Sequence, residues 1–168
     1  MRKMRRKERE LPRELALAVT DKCTYSVMAT VNSDGSPYCI PLSLAREGEW
    51  LYFHSAKEGH KIDNLKNRNK VCVSCVTGVK AVPGDFSTEF ESSVIFGTAS
   101  EVTDRDEKIR ALRLISERYT PDNMPAFDEA VKRSLDVTGV WKIHIDEISG
   151  KHKKPDKDGK EINYGKME

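Results

Sequence analysis

The stretch LYFHSAKEGHK, residues 51–61, gathers His54, Ser55, His60 and Lys61 around one charged turn. An apolar run, Leu51 to Phe53, stops at His54, and a helix is predicted to open at His60 and Lys61. Amide N–H groups at a helix start lack intrahelical partners and sit at the positive end of the dipole, so they favour anions. Lys61 in that turn is unfavourable by about 0.3–1 kcal/mol on its own. Asp63 can offset it. The chemical alternative is a bound phosphate, held by His60, Lys61 and the free amides. His54 could serve as a base, a ligand or a hydrogen-bonded rim residue, and no carboxylate or cysteine stands at a spacing that decides between them. A triad or metal site would need His144 or His152 brought in by the fold. Trp141 can be core or a flat platform for a ring-shaped ligand. No G-x-G-x-x-G, P-loop or G-x-S-x-G motif occurs.

Cys72-Val73-Ser74-Cys75 matches C-x-x-C but lies within the β-type run VCVSCV. Residues three apart on a strand face opposite sides, so the sulfurs should diverge. No second pair completes a set of zinc ligands, and no metal site is expected.

Several elements must position these residues. The chain has 168 residues, with 29 basic against 27 acidic side chains. That length suits one domain, and the near-neutral balance argues against nucleic-acid or membrane-surface binding. No run approaches the ~20 apolar residues of a bilayer span. Without an export signal, Cys23, Cys39, Cys72 and Cys75 are expected as reduced thiols in a cytoplasmic protein. The basic start MRKMRRKERE reads as a solvated arm, with an anionic partner as the alternative.

A short helix entered through Pro12 should end near Lys22. In 24–32, Tyr25, Val27, Ala29 and Val31 alternate onto one face. Asp34-Gly35 makes a hairpin turn into the strand PYCIPLSLA, where Pro41 implies an edge or a bulge. Strands are predicted at 50–54, 70–77, 90–102, with a bend at Gly97, and 140–148; 78–89 is predicted as loop. Helices are predicted at 59–69, after a cap at Thr103 or Asp104 with Glu107 completing a capping box, and at 123–135. Six hairpin-linked strands with late helices predict an α+β, mainly β, antiparallel barrel over residues 1–150 and a polar tail over 151–168.

In order, the segments YSVMATVNSDGSPYCIPLSLA, GEWLYFHSAKEGHKIDNLKNRNKVCVSC, ESSVIFGTASEVTDRDEKIRALRLISERY and WKIHIDEISGK resemble the 5-nitroimidazole resistance branch of the pyridoxamine 5'-phosphate oxidase-like, FMN-binding split barrels. The resemblance covers most of residues 4–152. It implies a six-stranded split-barrel homodimer with FMN in clefts at the subunit interface. Pro41 and Ser43 of the strand PYCIPLSL would contact the flavin ring, and His54, Ser55 and Ala56 would lie along the ring or ribityl chain. His60 and Lys61 would take the phosphate, Ser92 and Ser93 would line the cleft, and Trp141 would close it, from the same or the other subunit. His60 stands where an arginine is frequent, and its charge fades above a pKa of ~6.5. Residues that hold pyridoxamine have no counterpart.

The resemblance also implies a catalytic place for His54 beside the flavin. The implied activity is reduction of a small electron-poor aromatic, such as a nitro compound, by reduced nicotinamide; a flavin carries the electrons itself, so the lack of an acid–base motif is no obstacle. Two alternatives remain open at this point. One is a flavin- or haem-binding protein without turnover, and the other a regulatory protein working through its basic arm.

Overall fold

A computed structural model of the chain describes residues 2–84, 86–155 and 160–164. The described residues form β1 (Glu10–Leu11), α1 (Arg13–Lys22), β2 (Ser26–Val31), β3 (Pro37–Leu42), β4 (Ala45–Glu47), β5 (Trp50–Ala56), α2 (His60–Asn67), β6 (Lys70–Val82), β7 (Ser87–Glu101), α3 (Arg105–Tyr119), α4 (Phe127–Ser134) and β8 (Thr138–Lys153). One antiparallel sheet runs β3-β2-β6-β7-β8-β5-β4, and β1 pairs with the far end of β8.

The sheet is rolled. Strands β3 and β4 are its opposite edges, yet the chain passes from Leu42 to Ala45 through Ser43 and Leu44 alone. Three residue steps reach roughly 10 Å, so the two edges must meet there. They do not pair, and the result is a barrel split along one seam. Pro41 on β3 is therefore on an edge strand, where its missing N–H breaks no interior ladder.

The described residues form eight strands where six were expected. The predicted strand PYCIPLSLA divides at the seam, because Ala45–Glu47 leaves β2 and pairs with β5. Strand β1 is too short for an alternation signal. Residues 78–89, expected as loop, largely continue the β6–β7 hairpin: after an irregularity at Gly78 (φ +63°), Lys80 pairs with Glu89 and Val82 with Ser87. Strand β8 runs to Lys153, so the start of the expected tail belongs to the sheet. Of that tail, 156–159 and 165–168 lie outside the described residues.

Alternation divides two cores. Met28, Leu51, Phe53, Val73, Ile95 and Ile143 are among the residues filling the barrel, closed at one end by Ile62 and Leu65 of α2. Tyr52, Val102, Ala111, Ile115 and Val140 pack outside it, under α3. Asp104 caps α3, accepting from the Glu107 amide at 2.8 Å. The reciprocal half of the expected capping box is not what Glu107 serves: its carboxylate accepts from Tyr52 Oη at 3.1 Å and Lys142 Nζ at 2.8 Å, which ties α3 to β5 and β8.

Strand β2 turns its face outward. Ser26, Met28 and Thr30 are buried, while Tyr25 is 64% and Val27 43% exposed. Directly opposed residues share a face. Pro41, Val27, Ser74 and Val94 thus form one outer row, and Cys39, Ala29, Cys72 and Phe96 the next. Cys75 points inward, 3.2 Å from Ser26 Oγ, so the two C-x-x-C sulfurs diverge as expected.

Candidate functional site

The turn between β5 and α2 brings the predicted phosphate residues together. Gly59 precedes α2 with φ +121° and ψ 166°, a region that side-chain-bearing residues avoid, and no side chain caps the helix. The amides of Ile62 and Asp63 bond to the Gly59 carbonyl, which leaves the His60 and Lys61 amides outside the intrahelical set. Lys61 is partly buried beside them.

His60 is less available than its position suggested. Its Nε2 lies 2.7 Å from Asn32 Oδ1, and its ring lies against Tyr38 with centroids 4.0 Å apart. Asn64 Nδ2 donates to the same Asn32 oxygen at 2.7 Å and to Thr30 Oγ1 at 3.0 Å. A carbonyl oxygen only accepts, so His60 donates to it. This network pins the start of α2 to β2 and β3, and leaves Lys61 as the side-chain cation for an anion. Asn32 and Asn64 carry no motif, and nothing in the sequence singled them out.

His54 and Ser55 diverge, because successive strand residues face opposite sides. Ser55 Oγ donates to the Ala56 carbonyl at 2.7 Å. His54 points toward α3 and α4, at the mouth of a cavity of ≈ 230 Å³ whose walls include Leu112, Ser116, Phe127, Ala130 and Val131. Its ring is exposed in the single chain, but the surrounding protein mass lowers its pKa below 6.5, with the Lys61 cation as the second cause. At neutral pH the imidazole is therefore neutral.

A depressed histidine pKa means that folding favours the neutral ring. This contribution to stability is intact above pH 6.5 and is lost as pH falls through the folded-state value. A pH series of the His54 ring by NMR should give a midpoint under 6.5. Lys61→Met should raise that midpoint only part of the way, because burial is the larger cause. A midpoint at or above 6.5 in the unmodified chain would contradict this electrostatic picture.

The remaining predicted residues scatter. Ser43 sits at the seam between β3 and β4, partly buried, and Pro41 and Ser92 lie on the outer face. Two of the predicted residues point inward in the single chain. Ser93 is wholly buried with its hydroxyl 2.9 Å from Thr20 Oγ1 of α1, so within this chain it lines no cleft. Trp141 belongs to the barrel core at 5% exposure, opposite Phe53, and does not close a cleft of its own chain. His144 is paired with Asp146 at 2.8 Å on the surface, and His152 is buried at the far end of β8; neither joins His54.

The sequence pattern of the pyridoxamine 5'-phosphate oxidase family matches residues 12–152. The chain belongs to that family. It is similar to the structure of a candidate 5-nitroimidazole antibiotic resistance protein from Bacteroides thetaiotaomicron. Identity to it is 27%, with 85% of this chain and 86% of that one covered and a TM-score of 0.72. A FAD and haem binding protein from Mycobacterium smegmatis shares the fold at 23% identity, with 86% and 73% covered and a TM-score of 0.73. So does a flavocytochrome from Azotobacter vinelandii, at 21% identity, 90% and 70% coverage and a TM-score of 0.68. No curated protein matches the sequence.

Proposed function

We propose that this chain is an FMN-binding oxidoreductase that reduces small electron-poor aromatics, nitro compounds foremost, with reduced nicotinamide as donor. The observation that carries the reading is the uncapped start of α2, where Gly59, two free amides and Lys61 form an anion seat next to the β5 end. Its chemistry fits a phosphomonoester: backbone donors, a positive dipole end and one cation. The flavin- and haem-binding names of the similar structures and the membership of the oxidase family support it.

The second support is the outer face of β2, β3, β6 and β7. Tyr25, Val27, Val76 and Phe96 stand 64%, 43%, 48% and 44% exposed there. A contiguous apolar patch of this kind marks an interaction site. A two-fold homodimer through it would cover the patch with itself. No described helix is long and apolar enough to cross a membrane, and reduced thiols with a nicotinamide donor suit the cytoplasm.

Lys61 and the amides at the start of α2 would hold FMN, and the bound flavin would supply the electron-transfer chemistry between donor and acceptor. The protein's part is to hold and orient. Lys61 and the α2 amides fix the phosphate, the dimer face excludes water from the ring, and neutral His54 donates a hydrogen bond to an oxygen of the substrate. His54→Ala should lower kcat/KM about tenfold, the worth of one hydrogen bond of ~1.4 kcal/mol. FMN should stay bound. The test is steady-state reduction of a nitroaromatic by reduced nicotinamide, without oxygen, on protein reconstituted with FMN. Absence of turnover by the unmodified protein would defeat the enzymatic reading, and equal rates for both proteins would remove His54 from it.

A further inference from the structure

The cavity between α3 and α4 is not a gap left by loose packing. Its two helical walls are braced from several sides. Arg113 pairs with Asp128 at 3.0 Å and lies over the Phe127 ring at 4.2 Å. Lys108 Nζ donates to the Leu135 carbonyl at 2.6 Å, which ties α3 to the end of α4. Between these braces the wall residue Ala130 is small, and a volume of ≈ 230 Å³ stays open. Leu112, Phe127, Ala130 and Val131 make most of the lining apolar. Of the polar lining groups, Ser134 Oγ and Thr138 Oγ1 already donate, to the carbonyls of Ala130 at 2.7 Å and Ser134 at 2.8 Å. His54 and Ser116 remain to greet a ligand.

We infer that this cavity is a specificity pocket that takes one neutral planar ring, apolar over its faces, with a hydrogen-bonding edge turned to His54 and Ser116. This rests on the proposed reductase reading and adds to it the residues that choose the substrate. The volume lies below the ~300 Å³ at which pockets for drug-sized ligands begin, so a single ring fits and a fused system does not. A charged ring is disfavoured, because the lining holds no ionised side chain to pair with it, and for a cation the nearby Lys61, which helps depress the His54 pKa, adds repulsion.

Titration of the full chain with 2-methyl-5-nitroimidazole, without reductant, tests this through the NMR methyl signals of Leu112 and Val131. Both should shift saturably. Ala130→Phe fills the cavity, and should weaken that binding and raise KM by about tenfold or more, with flavin absorbance per chain unchanged. Should Ala130→Phe fail to fold, Ala130→Leu gives the same readout with a smaller obstruction. Unmoved methyl signals, or full affinity in a folded filled variant, would overturn the pocket even if the protein turns over nitroaromatics. Saturable shifts in a protein that takes up no flavin would sustain the pocket and defeat the reductase reading instead.

Discussion

Lys61→Glu should weaken FMN binding by about a hundredfold while leaving the fold intact or slightly firmer. A charge-assisted hydrogen bond is worth ~1.5–3 kcal/mol, and each 1.4 kcal/mol is about tenfold in affinity. Reversal adds repulsion between the new carboxylate and the phosphate. The same carboxylate sits in the first turn of α2, where the helix dipole favours an anion by about 0.3–1 kcal/mol. Binding and stability thus move in opposite directions, which a merely disruptive substitution would not produce. Quenching of FMN fluorescence gives the affinity, and thermal melting of the flavin-free protein gives the stability. Unchanged affinity would remove the phosphate from the α2 start. A fall in both would show instead that Lys61 serves the fold.

The second large effect lies far from that site. Gly97→Ala should cost about 3 kcal/mol, which for a chain of this size is about 6–12 °C in Tm. The register between β7 and β8 shifts at this point, from Phe96 opposite Glu147 to Gly97 opposite Ile145. A Cβ on Gly97 would stand 2.5 Å from the His144 carbonyl oxygen and 2.5 Å from Ile143 Cγ2. The carbonyl belongs to the sheet backbone, so it cannot swing aside as a flexible side chain can. Gly59 offers a contrast. A Cβ there meets nothing within 4 Å, yet φ is +121°, so its demand is conformational. Urea unfolding of Gly97→Ala measures the cost, and a loss under ~1 kcal/mol would show that β8 yields at the bulge.

Much of this was legible in the chain itself, but unevenly. Alternation in TYSVMATVN correctly grouped Tyr25 with Val27, yet periodicity alone cannot say which face is inward. Only the register with β3 and β6 shows the pair facing out. The division of PYCIPLSLA at Ser43 was hidden because the residues keep a strand-like composition across the seam, and it is topology that separates them. The residues of the proposed anion seat stood out because Lys61 at a helix start breaks a local electrostatic rule, and such breaks draw attention to function. The inward placement of Ser93 and Trp141 was not legible: a serine and a tryptophan on strands next to a candidate cleft look the same in sequence whether they face it or the core. The α3–α4 cavity left no signal, since Ala130, Val131 and Leu112 read as ordinary helix residues.

The central claim is that the start of α2 holds the phosphate of FMN. The most direct measurement is the visible spectrum of the purified full chain, joined to mass spectrometry of whatever small molecule it releases on denaturation. A yellow protein that releases FMN, one per chain, is the predicted result. A colourless protein that takes up no added FMN, or one that shows the Soret band of haem without flavin, would contradict it.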